Sequence, residues 1–319
     1  MDTVFTGPVN WAYDIAILND TLIWVVGRFE IPDTTGSMSY FDRSFNMIEW
    51  NGSKWVPKKI LSSDSSQAPS LYSIFVINEN DIWVGSSIPR HWDGTSWTVY
   101  ANTHGWETFY ANINAIWGSG PDDVFFVSDG GQINHWNGSG FERMETPTTV
   151  HLSDVMGTGP DDVWATGLDV TTGKSTIIHY DGIAWTLLYE TGVTYGNGDV
   201  NTSIYGDIVS VQTFDSSPGE AWVLANAYGI YHKLNVPGAE AELIPIPYNG
   251  HPLAKMRGNH PNDLFVAGHH SGMYHWNGNS LREYELPGDV HIMGMDIKDN
   301  KVIAIGLDGG RVIAFRKLN

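Results

Sequence analysis

The sequence predicts an all-β chain folded as one seven-bladed β-propeller of four-stranded antiparallel blades, on three observations. A motif of the type Gly-Pro-Asp-Asp-Val-Trp recurs at a spacing of roughly 30–50 residues, which suits a propeller blade. The copies run on to a His-Trp or His-Tyr pair and an Asn-Gly or Asp-Gly step, a hairpin signal. The composition fits as well: of 319 residues 42% are hydrophobic, 13% aromatic and only 17% charged, which favours half-buried pleated positions over disorder.

The clearest copies lie mid-chain. Gly120-Pro121-Asp122-Asp123-Val124-Phe125 leads to His135-Trp136-Asn137-Gly138, and Gly159-Pro160-Asp161-Asp162-Val163-Trp164 leads to His179-Tyr180-Asp181-Gly182. Fainter copies are Asn19-Asp20 with Glu49-Trp50-Asn51-Gly52, Asn80-Asp81 with His91-Trp92-Asp93-Gly94, and Asn262-Asp263 with His275-Trp276-Asn277-Gly278. Two degenerate copies carry Glu220-Ala221-Trp222 with Tyr231-His232, and Asn300-Lys301-Val302 near the end. The blades are therefore expected near residues 13–60, 71–101, 113–145, 152–190, 204–247, 253–287 and 290–319, within one domain spanning 1–319. Residues 3–9 have no repeat of their own, and as the outer strand of the last blade they would close the ring and remove an open edge.

Each element of the repeat has a local cause. A short apolar inner strand ends at Gly-Pro-Asp-Asp, where Pro presets φ and the acids bond nearby backbone N–H groups. The Asn-Gly and Asp-Gly steps are read as type I′ hairpins between the third and fourth strands. The acid pairs repeat around the ring with Asn substituting, so they are turn chemistry and not a catalytic dyad. His91, His135, His179, His232 and His275 occupy one repeat position on five blades and cannot converge on one metal. Their ring nitrogens are expected to bond backbone or a neighbouring blade.

The Gly-Ser-Gly-Pro-Asp-Asp-Val-Trp … His-Trp-Asp/Asn-Gly-x-x-Trp pattern, clearest in residues 71–190 and 253–287, resembles that of secreted bacterial propeller proteins and lipoproteins. The hairpin is similar in position to the Asp-box of sialidase-type propellers, although Asp93-Gly94 lacks that motif's intervening residue. The resemblance implies the fold and export, and no activity.

The formal net charge is −19, so most of the surface repels polyanions; nucleic acid and anionic membrane are poor partners. Without cysteine, thiolate metal sites, disulfides and cysteine nucleophiles are excluded. No apolar run approaches the ~20 residues that span a bilayer, so direct membrane insertion is not expected. Met1–Gly7 carries neither a basic nor an apolar leader region. An extracytoplasmic or secreted protein whose signal has been removed is the expectation, and a cytoplasmic one the alternative.

Function is expected in the unrepeated loops. In a propeller the blade-to-blade connections and the second-to-third-strand loops share one face, and here they are long and irregular. The candidates for binding a ligand or partner are Tyr40, Phe41 and Arg43 in 28–46; His104, Trp106 and Tyr110 in 102–112; Tyr195 and Asp199 in 191–203; and Tyr228, His251, His269 and His270. Exposed aromatics beside polar groups suit a protein surface or a sugar, or they plug the channel. No cofactor is implied. Adjacent His269 and His270 should point apart, so no metal site is assigned, and the Asp199-Val200-Asn201 stretch leaves a structural Ca²⁺ as a remote alternative. A binding or scaffolding propeller that engages a protein partner is the leading reading. A glycan-binding propeller and a hydrolase or lyase at the channel mouth are the alternatives; no nucleophile elbow, HExxH motif or phosphate loop occurs.

Overall fold

The computed structural model describes residues 2–62, 68–101, 111–191, 207–226, 229–236, 240–247, 252–286, 288–299, 301–308 and 311–318. These form seven four-stranded antiparallel sheets arranged as a ring, a seven-bladed β-propeller. Each sheet follows chain order from the inner strand (a) to the outer strand (d), as in blade 4: Leu152–Gly159, Asp162–Asp169, Lys174–Tyr180 and Trp185–Glu190. In blade 7, Asp2–Thr6 takes the outer place beside Arg311–Leu318. That outer strand is shorter than the expected 3–9: Gly7-Pro8 interrupts it, and Val9 already begins the inner strand of blade 1, Val9–Asn19.

The core is divided among the gaps between blades. One cluster joins Ala115, Phe125 and Val127 of blade 3 to Val155, Val163 and Trp185 of blade 4. Another joins Phe29 and Ile48 of blade 1 to Ile303, Ile305 and Val312 of blade 7. A blade buries its faces only against its neighbours, which is why the motif must repeat for any copy to be stable.

The repeated residues do what the sequence implied, by different bonds in two cases. Among the described residues, the five histidines bond neither backbone nor a neighbouring blade. Each faces the acid that opens strand b of its own blade: Asp81 at 2.7 Å from His91, Asp123 at 2.6 Å from His135, Asp162 at 2.8 Å from His179, Glu220 at 2.9 Å from His232 and Asp263 at 2.7 Å from His275. Antiparallel register places the histidine opposite a strand-b aromatic, which covers its ring; Trp83–His91 and Phe265–His275 stack at centroid distances of 4.2 and 4.1 Å. A carboxylate one pleat away is a stronger acceptor than a carbonyl, which explains the choice.

The hairpins are not two-residue type I′ turns. Trp136 pairs with Phe141, leaving four residues between them, and only the glycine takes positive φ (Gly138, +83°). The Asx side chain builds the turn instead: Asp93 Oδ1 accepts from the Thr95 and Ser96 N–H groups, each at 2.8 Å. The glycine is required sterically too, because a Cβ at Gly138 would lie 2.4 Å from Asp122 Oδ1 in the adjoining a–b turn. The first acid of each pair thus packs under the hairpin while the second holds the histidine.

Candidate functional site

Two features of the ring are absent from the repeat: the charged lining of the channel and the residues around its loop-side mouth. The channel cavity, about 390 Å³, is walled by inner strands. Asp154 is fully buried there. Arg257 clasps it through Nη1 and Nη2 at 2.9 and 3.0 Å, Lys255 Nζ lies at 3.7 Å, and the Val211 N–H donates at 3.2 Å. Despite the cost of burial, Arg257 and Lys255 hold the Asp154 carboxyl well below the usual carboxylate range, and Asp154 in turn raises Arg257.

Asp14 and Asp296, half-buried at the channel wall, have no such clasp. Asp14 Oδ2 accepts from the Ile74 N–H of blade 2 at 3.0 Å, and Asp296 Oδ2 from the Ile17 N–H of blade 1 at 2.7 Å. Desolvation deep in the ring pushes Asp14 up and Asp296 up to about 6. All three acids therefore tie one inner strand to the next: blade 7 to 1, 1 to 2 and 4 to 5.

The loop-side mouth is organised by a recurrent β-bulge. Register shifts skip one residue near the start of the inner strand: Tyr13, Asn114, Ser153, Val209, Ala254 and Met293 in six blades. Tyr72 stands at the matching place, just ahead of the blade 2 inner strand Ser73–Asn78. A bulge re-aims its extra side chain out of the alternation. All seven of these side chains are partly exposed around the mouth. Only blades 1 and 2 place an aromatic there, and Tyr13 and Tyr72 meet at a centroid distance of 5.0 Å. Burial, reinforced by Tyr72, raises the Tyr13 phenol.

Blade 1 extends this pair into a patch. Trp11, 48% exposed, sits opposite Arg28 in the register, and Arg28 lies 6.0 Å above the ring of Tyr40, itself 49% exposed. Arg28 and Arg43 both reach the buried Glu30, at 3.3 and 3.8 Å. The b–c insertion that carries Tyr40 is internally braced. Asp33 Oδ1 accepts from the Thr35 and Gly36 N–H groups at 2.9 and 2.7 Å, and Ser39 caps the short helix Tyr40–Arg43. Lys59 pins the helix by donating to the carbonyls of Phe41 and Asp42.

Of the sequence-derived candidates, Tyr40 lies in this patch. Arg43 reaches it through Glu30, and the half-buried Phe41 lies under Lys59, whose Nζ is 4.3 Å from its ring centroid. His269 and His270 lie across the mouth on blade 6, away from the patch. His104, Trp106, Tyr110, Tyr195, Asp199, Tyr228 and His251 fall outside the described residues. Trp11, Tyr13 and Tyr72 were missed because a strand aromatic reads as core. The available signal was the aligned position itself, which holds Asn114, Ser153 and Ala254 elsewhere and tyrosine in two adjacent blades.

The fold and mouth define the class as a seven-bladed propeller whose inner strands line a polar channel. No protein-family model and no curated protein sequence matches the chain. Solved structures do match in fold. YCF48 bound to a D1 peptide superposes with a TM-score of 0.67 at 12% identity, covering 98% of this chain and 93% of that one. Virginiamycin B lyase from Staphylococcus aureus gives 0.68 at 12% identity, covering 97% and 95%. The computationally designed Ika8 protein gives 0.62 at 12% identity, covering 98% and 99%. At such identity the likeness establishes the propeller and nothing further.

Proposed function

We propose that the chain is a non-catalytic binding propeller that engages a protein segment through the loop-side mouth of blades 1 and 2. The observation that carries this reading is the patch of Trp11, Tyr13, Arg28, Tyr40 and Tyr72, two of them half-exposed aromatics, built on braced backbone and absent from the repeat. Aromatic and arginine side chains dominate protein-recognition hot spots because they bury much area at little entropic cost. A same-fold protein has been solved with a bound peptide, which supports the choice of a protein segment over a small molecule. The channel acids support it as well, since each already serves a neighbouring strand. The resemblance to secreted repeat proteins supports an extracytoplasmic location.

The test is selection of displayed random peptides on the immobilised chain. Enrichment of a motif that loses binding at least ~10-fold on Trp11→Ala or Tyr72→Ala, and not on His232→Ala, is expected. If the enriched peptides bind all three variants equally, or if none is enriched, the reading fails. A parallel glycan array distinguishes the carbohydrate alternative, which requires sugar binding that the same patch variants abolish.

A further inference from the structure

Across the mouth from the aromatic patch, blade 6 and blade 7 bring three histidines and an aspartate together. His269 and His270 form the b–c turn between Asp263–Gly268 and Gly272–Trp276, and Asp289 and His291 belong to the connection into the inner strand His291–Lys298. The two segments are stitched by backbone: the Ser271 N–H donates to the Val290 carbonyl at 2.7 Å, and Ser271 Oγ donates to the Gly288 carbonyl at 2.7 Å. The turn is held tightly enough for two non-glycine residues to sit at left-handed φ, His270 at +53° and Ser271 at +64°.

Within this clasp the donor atoms of His270, Asp289 and His291 lie within 4.8 Å of one another. His270 Nδ1 is 2.9 Å from Asp289 Oδ1, and the His270 and His291 rings are 4.8 Å apart at their centroids. His269 packs against the same ring, its Nδ1 3.0 Å from His291 Nδ1. Two imidazole nitrogens at hydrogen-bonding distance require one to be protonated and the other not. A partner on one ring nitrogen is the contact by which an outer group orients a ligating histidine.

We infer that His270, Asp289 and His291 form a binding site for a divalent transition-metal ion of the Zn²⁺ type, with His269 as a positioning residue behind His291. Two imidazoles and one carboxylate are borderline donors that suit Zn²⁺ and its first-row neighbours better than Ca²⁺ or Mg²⁺. Three protein ligands leave a fourth tetrahedral position for water or for a donor atom of a bound partner. Among the described residues, the five His–acid pairs on strand c of blades 2 to 6 lack a converging third donor, and so does His151 with Asp129 at 3.2 Å.

The experiment is Zn²⁺ titration by calorimetry of the tag-free chain after chelator treatment, with Co²⁺ absorption as a second readout. One equivalent of Zn²⁺ per chain is expected, with Co²⁺ giving the visible bands of a four-coordinate site. His270→Ala and His291→Ala should each weaken binding at least ~10-fold, and His151→Ala should leave it unchanged. Thermal unfolding of the metal-free variants checks that they remain folded. Stoichiometric binding that survives both substitutions, absence of binding, or loss on His151→Ala would each overturn the inference.

Discussion

The two faces of the ring are built by opposite rules. On the turn side, the same few residues recur: an acid under a hairpin glycine, a second acid on a histidine, an aromatic over the histidine ring. On the loop side, one backbone device recurs, the inner-strand bulge, while its side chain changes from blade to blade. Repetition of side chains signals a frame, because every blade must solve the same packing problem. Repetition of backbone with varied side chains signals a display surface. The comparison teaches that position within the repeat matters more than residue chemistry: a histidine on strand c is frame, whereas a histidine on a b–c turn is free to take on function.

This division can be broken experimentally, most forcefully in the channel, where frame and charge meet. Arg257→Leu strips the buried Asp154 of its bidentate partner and leaves it the Ser210 hydroxyl, the Val211 N–H and the more distant Lys255, at 3.7 Å. A loss of about 3–5 kcal/mol in denaturant unfolding is expected, as for other broken buried pairs. A loss under about 1 kcal/mol would mean that the channel charges are not part of the frame.

Asp296 should act in the opposite sense to Asp154. Its carboxyl is raised from the ordinary 3.8 to about 6 in the folded chain, so between those values the folded state keeps a proton that the unfolded state has released. Its contribution to stability is therefore greatest at acid pH and declines as pH rises toward about 6. Comparing wild type with Asp296→Asn from pH 4 to 7 should show a relative loss in wild type on the order of 1–3 kcal/mol as pH rises. A flat difference would contradict it.

Gly138→Ala tests the turn side with a smaller perturbation. Positive φ and the close approach of Asp122 predict a loss of about 1–2 kcal/mol with no effect on peptide binding at the opposite face. Reduced peptide binding at unchanged stability would reassign the hairpins to function.

The propeller, its seven blades and the framing role of the repeated residues were legible in the sequence, because four-stranded blades leave a spacing and a hairpin signature that survive divergence. The partners of the histidines were not, since a strand-to-strand bond depends on register, and one residue of slip exchanges the two faces of a strand. Type I′ hairpins were expected from Asn-Gly alone. The two residues that follow decide otherwise, through N–H groups that the Asx side chain accepts. Tyr40 and the His269-His270 turn could be read as loop residues. Trp11, Tyr13 and Tyr72 could not, because a bulge is invisible until strands are paired. Likewise, nothing in the spacing of His270, Asp289 and His291 announces that a turn and an inter-blade connection meet.

The most direct test of frame against display surface pairs His179→Ala with Trp11→Ala. His179 is 2% exposed and holds Asp162, which also takes Thr158 Oγ1, Trp164 Nε1 and the Gly219 N–H of the next blade. Denaturant unfolding should show about 2–3 kcal/mol lost in His179→Ala and about 1 kcal/mol or less in Trp11→Ala. Peptide binding should show the reverse: retained in the first, lost in the second. If His179→Ala is as stable as wild type, or if it loses binding while Trp11→Ala keeps it, the assignment of the two faces is wrong.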